Sequence, residues 1–299
     1  MATYLGVQTD NLLVGNGATE IIYSLCFLLR PRIVLVPQPT FSEYARAAEA
    51  AGAQVILCPL SPTQGFRLDV EAYCRLLEQA DMAFLCNPNN PTGNLFPYDT
   101  LYHIWQESRR RGVWLIVDES FLDFVENWPE LSLVQVAARE EKLIILRSLT
   151  KFFALPGLRL GAGIAAPSII KYLEERSDPW RVNILAQLAG AVAVKDREYQ
   201  IRTWKLLKGE RAYLFEGLAF LPGLRPYRSE ANFILVDIGL SGWKSGELTE
   251  ALAQHKVLVR DCSNFPGLEG GYIRVAVKER ESNTILLRLL KNLLTGERL

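Results

Sequence analysis

Between Ile33 and Ala165 the chain alternates short apolar runs of strand length with helical stretches. Ile33 to Val36, Val55 to Cys58, Ala83 to Cys86, Val113 to Val117, Leu143 to Leu146 and Gly161 to Ala165 predict strands. Ser42 to Ala51, Asp69 to Gln79, Tyr98 to Arg111 and Leu131 to Arg139 predict the helices between them. Asp69 suits an N-cap, and Gly52 and Gly112 suit helix stops. Strand runs that are apolar throughout are buried on both faces. They therefore imply an α/β fold with a mainly parallel sheet covered by helices on each side. Ligands in such sheets gather beyond the carboxyl ends of the strands, and most of the chemistry-bearing residues of this chain sit at those exits.

Beyond Pro167 the pattern turns helical as far as about Gly217. A mixed pattern then resumes, with strands expected at Asn232 to Val236, Val257 to Val259 and Tyr272 to Val277, and helices at Gly246 to His255 and Arg280 to Leu294. The expected organisation is a large ligand-binding domain over 1–215 and a small α+β domain over 216–299, which 299 residues can supply.

Charge excludes some functions. Lys+Arg and Asp+Glu number 33 each, so the net charge is zero, which argues against nucleic acid and against an anionic membrane surface as partners. No apolar run reaches membrane-spanning length, and the start lacks the basic segment of a signal peptide. Five cysteines, mostly in apolar settings, suit reduced core thiols in a cytoplasm. Two histidines, each in a helix-like stretch, argue against a His-based metal site or a Ser-His-Asp triad, so no metal is expected.

Four segments carry candidate chemistry. Gly15-Asn16-Gly17-Ala18-Thr19-Glu20 opens an apolar helix, Ile21 to Leu29, and its free N–H groups and positive dipole end suit a phosphate. Asn87-Pro88-Asn89-Asn90-Pro91-Thr92-Gly93 follows a strand, where its prolines restrict the backbone. Its asparagines either form turns or hold an amide in place. Asp118 ends a buried strand, either as a helix N-cap or as a carboxylate that keeps a bound cation charged. Ser148 and Lys151 follow the strand ending at Leu146. Lys151 either snorkels or presents a desolvated amine able to form a Schiff base with an aldehyde.

In this order, each beside a strand, these segments resemble the fold-type I pyridoxal-phosphate enzymes, the aspartate-aminotransferase-like superfamily. Within it the chain is similar to the branch of histidinol-phosphate aminotransferases and threonine-phosphate decarboxylases. Arg147-Ser148-Leu149-Thr150-Lys151 through Leu158-Arg159-Leu160-Gly161, Asp178-Pro179-Trp180-Arg181-Val182-Asn183 and Arg260 to Leu268 lie closer to the decarboxylases. The resemblance runs from about Tyr4 to the end. It implies pyridoxal 5′-phosphate as cofactor, with Lys151 as its covalent anchor and Asp118 as partner of the ring nitrogen. It also implies Asn90 on the phenolic oxygen, Phe41 stacked on the ring, and Ala18, Thr19, Ser148 and Arg159 around the phosphate. Arg274 matches the substrate-carboxylate arginine, and Arg260 and Asn183 are candidates for other polar groups of the substrate.

Three departures accompany the resemblance. Phe121 stands where many aminotransferases carry tyrosine, and Ala162 stands where an aromatic is frequent. An N-terminal arm that closes over the substrate, and carries a tyrosine for the partner's cofactor phosphate, is expected to lie outside this sequence. The implied activity is decarboxylation of L-threonine O-3-phosphate to (R)-1-aminopropan-2-yl phosphate, a step of cobalamin biosynthesis. The alternatives are transamination of histidinol phosphate, or cofactor or partner binding without turnover. The resemblance also implies a homodimer, and the cysteine usage a cytoplasmic location.

Overall fold

The computed structural model describes residues 1–296. The large sheet comprises β1 (Leu12–Gly15), β2 (Ile33–Gln38), β3 (Gln54–Pro59), β4 (Met82–Cys86), β5 (Trp114–Asp118), β6 (Leu143–Ser148) and β7 (Gly161–Ile164). Its strand order is β1-β7-β6-β5-β4-β2-β3. The strands from β3 across to β6 are mutually parallel, whereas β7 runs antiparallel to both β6 and β1. A four-stranded antiparallel sheet comprises β8 (Arg225–Pro226), β9 (Phe233–Asp237), β10 (Arg260–Asp261) and β11 (Tyr272–Ala276), in the order β10-β11-β9-β8.

The helices are α1 (Ala2–Leu5), α2 (Ala18–Leu29), α3 (Glu43–Ala50), α4 (Val70–Leu76), α5 (Tyr98–Arg111), α6 (Val134–Ala137), α7 (Pro167–Glu174), α8 (Ile184–Ala193), α9 (Arg197–Ala219), α10 (Ser245–Gln254) and α11 (Arg280–Thr295). The 215/216 division anticipated above falls inside α9. Local sequence explains several ends. Asp69 accepts from Ala72 N at 2.9 Å and starts α4, and Gly112, at φ 71°, stops α5 in the left-handed region.

Two sequence expectations need correcting. The helix expected over Leu131 to Arg139 shrinks to α6. Ser132 Oγ is committed to Glu119 at 2.6 Å and accepts from Val134 N at 3.1 Å, so helix begins only beyond it. The strand expected at Val257 to Val259 is absent, and β10 pairs at Arg260–Asp261 instead. Lys256 turns the chain at φ 61°, and Leu258 and Val259 line a cavity rather than a sheet.

The two-residue period of a strand sorts the core. In β4, Met82, Phe84 and Cys86 pack with α2, α3 and α7, while Ala83 and Leu85 pack on the opposite face with α4, α5, α9 and the small sheet. In β5 and β6, Ile116, Ile144 and Leu146 face the first group, and Leu115, Val117, Leu143 and Ile145 face the second. Each buried Val, Leu, Ile, Phe or Met among them contributes about 1.5–3 kcal/mol by leaving water.

The same parity places a buried ionic network on the second face. Arg147, Glu119 and Asp123 are each at most 1% exposed. Arg147 donates to Glu119 Oε2 at 3.0 Å and to Asp123 Oδ1, and its guanidinium lies over the Trp128 ring at 4.3 Å. Ser132 also donates to Glu119, Tyr4 Oη donates to Asp123 at 2.7 Å, and Trp204 Nε1 donates to the Asp123 carbonyl at 2.8 Å. Segments distant in sequence are thereby tied beneath the ends of β5 and β6. Arg147→Met should cost about 3–5 kcal/mol, because two buried carboxylates lose their counter-charge. Urea unfolding of the two proteins would measure the difference.

Candidate active site

The carboxyl ends of β4, β5 and β6 are neighbours, with Cys86 opposite Asp118 and Asp118 opposite Leu146 in register. Gly15, Gly161 and Ser148 form one row across β1, β7 and β6. Segments that leave these ends therefore converge on one cavity of about 490 Å³, a size suited to a small ligand. Ala18, Thr19, Phe41, Asn90, Asp118, Ser148, Lys151, Arg159, Arg260 and Arg274 all line it.

One end of the cavity is built for an anion. The first turn of α2 has no side-chain cap, so its N–H groups face outward from a helix long enough to carry a dipole. Two glycines permit the approach of other groups. Gly17 adopts φ 82°, and a Cβ there would lie 2.6 Å from Arg159 Nη2. A Cβ on Gly161 would lie 2.4 Å from Ala18 N. Arg159 itself sits at φ 60°, a left-handed backbone uncommon for arginine, which turns the chain beside the helix start. Ser148 Oγ and Thr150 Oγ1, 2.7 Å apart and both buried, complete the cradle.

The other end holds a buried carboxylate. Asp118 is 3% exposed. Its Oδ2 accepts from Tyr44 Oη at 2.7 Å and its Oδ1 from Ser120 N at 2.9 Å. Burial raises its pKa above the ordinary carboxylate range, opposed by the hydrogen bonds from Ser120 and Tyr44 and by the Lys151 charge. Lys151 opens onto the cavity, with its ammonium 5.9 Å from the Phe121 ring centroid. Partial desolvation, reinforced by Arg159 and Arg274 and opposed by Asp118, lowers its pKa and favours the free amine.

The third wall comes from the small sheet. Arg260 and Arg274 sit directly opposite each other on β10 and β11, so their side chains share a face. Arg274 donates to Asn90 Oδ1 and lies over the Phe233 ring at 4.7 Å. Arg260 donates to Asn264 Oδ1 at 2.7 Å. Neither makes an ion pair among the described residues. Burial, with Arg260 alongside, lowers the pKa of Arg274.

Asn183 does not join this group. It caps α8, accepting from Ala186 N at 2.9 Å and donating to the Leu158 carbonyl at 3.2 Å, and it does not line the cavity. Sequence reading missed Tyr44, Ser120 and Thr150. Thr150, a hydroxyl two residues from Ser148, was a detectable signal. Tyr44 had none, because its partner lies 74 residues away.

Burial makes the ionised Asp118 costly to folding. A carboxyl whose folded pKa is raised ionises first in the unfolded chain, so stability falls as pH rises from the ordinary carboxylate value toward the folded one. Asp118→Asn should therefore raise the Tm of the cofactor-free protein at neutral pH and flatten its decline from acid to neutral pH, as calorimetry across pH would record.

The donor set fits pyridoxal 5′-phosphate: an anion cradle at the start of α2, a buried carboxylate for a ring cation, and an amine that feels the charge of both Arg159 and Asp118, for an aldehyde. Residues 1–290 match the family "Aminotransferase class I and II". The chain is 35% identical over 297 residues to the threonine-phosphate decarboxylase of Salmonella typhimurium, covering 99% of this chain and 80% of that one. It is 36% identical over 298 residues to the histidinol-phosphate aminotransferase of Thermoanaerobacter pseudethanolicus, covering 98% and 81%. The crystal structure of the histidinol-phosphate aminotransferase from Clostridium acetobutylicum superposes with a TM-score of 0.91 at 30% identity, covering 99% of this chain and 87% of that one. The chain belongs to the class I and II aminotransferase family, whose enzymes use pyridoxal 5′-phosphate.

Proposed function

We propose that this enzyme decarboxylates L-threonine O-3-phosphate to (R)-1-aminopropan-2-yl phosphate, a building block of the cobalamin side chain. The observation that carries the reading is the facing pair Arg260 and Arg274, two cavity-lining guanidiniums that form no ion pair among the described residues. Like charges directly opposite in a sheet are unfavourable unless an anion joins them. Together they suit a compact substrate with two anionic groups, a carboxylate and a phosphate. The 35% identical decarboxylase supports the same reading.

Lys151 would hold the cofactor aldehyde, Asp118 its ring nitrogen, Asn90 its phenolic oxygen, and Ala18, Thr19, Ser148 and Arg159 its phosphate, with Phe41 against the ring. When bound, the cofactor supplies an electron sink for the pair left on Cα as a bond to that carbon breaks. Arg260 and Arg274 fix the substrate's two anionic ends and so its rotation about Cα, which selects the bond that breaks. Asp118, lining the cavity, would supply the negative charge that keeps the ring nitrogen protonated. Once the substrate's amino group has taken the place of Lys151 at the aldehyde, the released lysine would be free to carry a proton, and burial makes its ammonium a readier donor to Cα. The cofactor-binding part is taken as 1–215 and the small part as 216–299.

The second reading is transamination of histidinol phosphate, favoured by the 36% identical aminotransferase. Incubation with cofactor and L-threonine O-3-phosphate should release CO2. Glutamate formed from histidinol phosphate and 2-oxoglutarate, without CO2, would overturn the decarboxylase in favour of the transaminase. Cofactor binding with neither product would leave the binding-only alternative. Asp118→Asn should lower the turnover number by about 10²–10³-fold, since it removes a preorganised charge.

A homodimer is part of the proposal. Ile184, Leu185, Leu188 and Val192 share one face of α8 and are 59–71% exposed, and nearby Trp180 is 87% exposed. Single molecules rarely expose so continuous an apolar face, and a second copy would cover it. Light scattering after size exclusion should give twice the chain mass, and Leu188→Glu should give one. The five cysteines are buried and unpaired, which suits the reducing cytoplasm as the site of action.

A further inference from the structure

We infer that Tyr44 is a positioning residue for the proposed chemistry, holding the Asp118 carboxylate ionised and in the plane needed to meet the cofactor ring nitrogen. The inference rests on the cofactor reading above and adds a residue that touches neither cofactor nor substrate in that assignment.

The geometry is specific. Tyr44 is completely buried on α3, and its hydroxyl has Asp118 Oδ2 as acceptor at 2.7 Å. Its ring is clamped. It stacks on Phe84 of β4 at 4.9 Å between centroids and 9° between planes, and it meets Phe41 edge-on at 5.6 Å and 82°. Ser120 N occupies the other carboxylate oxygen. Each oxygen therefore has one fixed donor from a different direction, so the carboxylate cannot rotate, and lone pairs remain for one further donor from the cavity. Phe41, the expected ring-stacking residue, and Asp118, the expected ring-nitrogen partner, are linked through this one phenol.

The electrostatics agree with the geometry. Burial alone would favour the neutral carboxyl, which cannot pair with a ring cation. The ionisable groups facing Asp118 are Tyr44 from α3, Cys86 from β4 and Lys151 beyond β6. Burial pushes the Cys86 thiol up to about 12 and raises Tyr44 well above its ordinary value, so both stay neutral. The Tyr44 hydrogen bond is then a charge-assisted one that favours the ionised acid.

Tyr44→Phe keeps the stacked ring and deletes only the hydroxyl. With the carboxyl carbons of aspartate labelled with ¹³C and the Asp118 resonance assigned by its loss in Asp118→Asn, the cofactor-free protein reports the protonation of that group directly. In Tyr44→Phe the Asp118 midpoint should move upward. With 3-fluorotyrosine placed at position 44, a more acidic phenol and a stronger donor, it should move downward. Pyridoxal phosphate should bind Tyr44→Phe about ten-fold or more weakly, the expectation for one lost hydrogen bond to a charged group. The visible band of the bound cofactor should gain a pH dependence tracking the Asp118 midpoint, and the turnover number should fall with little change in KM. An Asp118 midpoint unmoved in both variants, in proteins with wild-type circular dichroism and melting, would overturn the inference. Failure of the wild-type protein to bind pyridoxal phosphate would instead overturn the cofactor reading and with it Tyr44's role toward the cofactor, while the titration still decides whether Tyr44 sets the charge of Asp118.

Discussion

The structure depends on one constraint, the two-residue period of strands buried on both faces. At the ends of β5 and β6 it separates neighbours in sequence. Asp118 and Ser148 fall on the side of α2 and α3, where the cavity opens, while Glu119 and Arg147 fall on the reverse side and pair with each other. A slip of one residue in either strand would put Arg147 into the cavity and Ser148 into the core. The buried ion pair does more than stabilise. Its partners reach α1, the segment after β5, and α9, so the register of the two strands that carry the site is tied from three directions.

The site is assembled from groups that each oppose the fold in isolation. Asp118 is buried against its charge, Arg260 faces Arg274 across a ladder, Arg159 adopts a left-handed backbone, and α2 starts without a side-chain cap. Each is a local cost of the sort that recurs at functional sites. A flat ligand with an anionic phosphate, a basic nitrogen and an aldehyde would relieve several of them together. Ligand binding and folding stability are therefore linked in this chain by the same charges.

Tyr44 illustrates how such a site is held. Its ring belongs to the core beneath α3, and its hydroxyl holds the Asp118 carboxylate at the end of β5. The stacked rings of Tyr44 and Phe84 and the edge of Phe41 make the phenol rigid, and rigidity gives one hydrogen bond its directional effect.

Much of this was legible in the sequence, because strand runs, helix stops and strand-exit residues are local signals. The parallel strands, the N-cap at Asp69, the glycine turn, Asp118 at the end of its strand and Lys151 beyond its own all follow from patterns a few residues long. Family membership was legible as well, since the segments that carry it are contiguous. Other features needed the folded chain. Arg260 faces Arg274, Arg274 reaches Asn90 and Tyr44 reaches Asp118 across 14, 184 and 74 positions of sequence, separations that carry no periodic signal. Asn183 was a binding candidate through the family resemblance alone, and in the folded chain its amide is committed to capping α8. Val257 to Val259 looked like a strand because apolarity marks burial, not pairing. Local chemistry determined which residues were available, and only tertiary packing decided which of them meet.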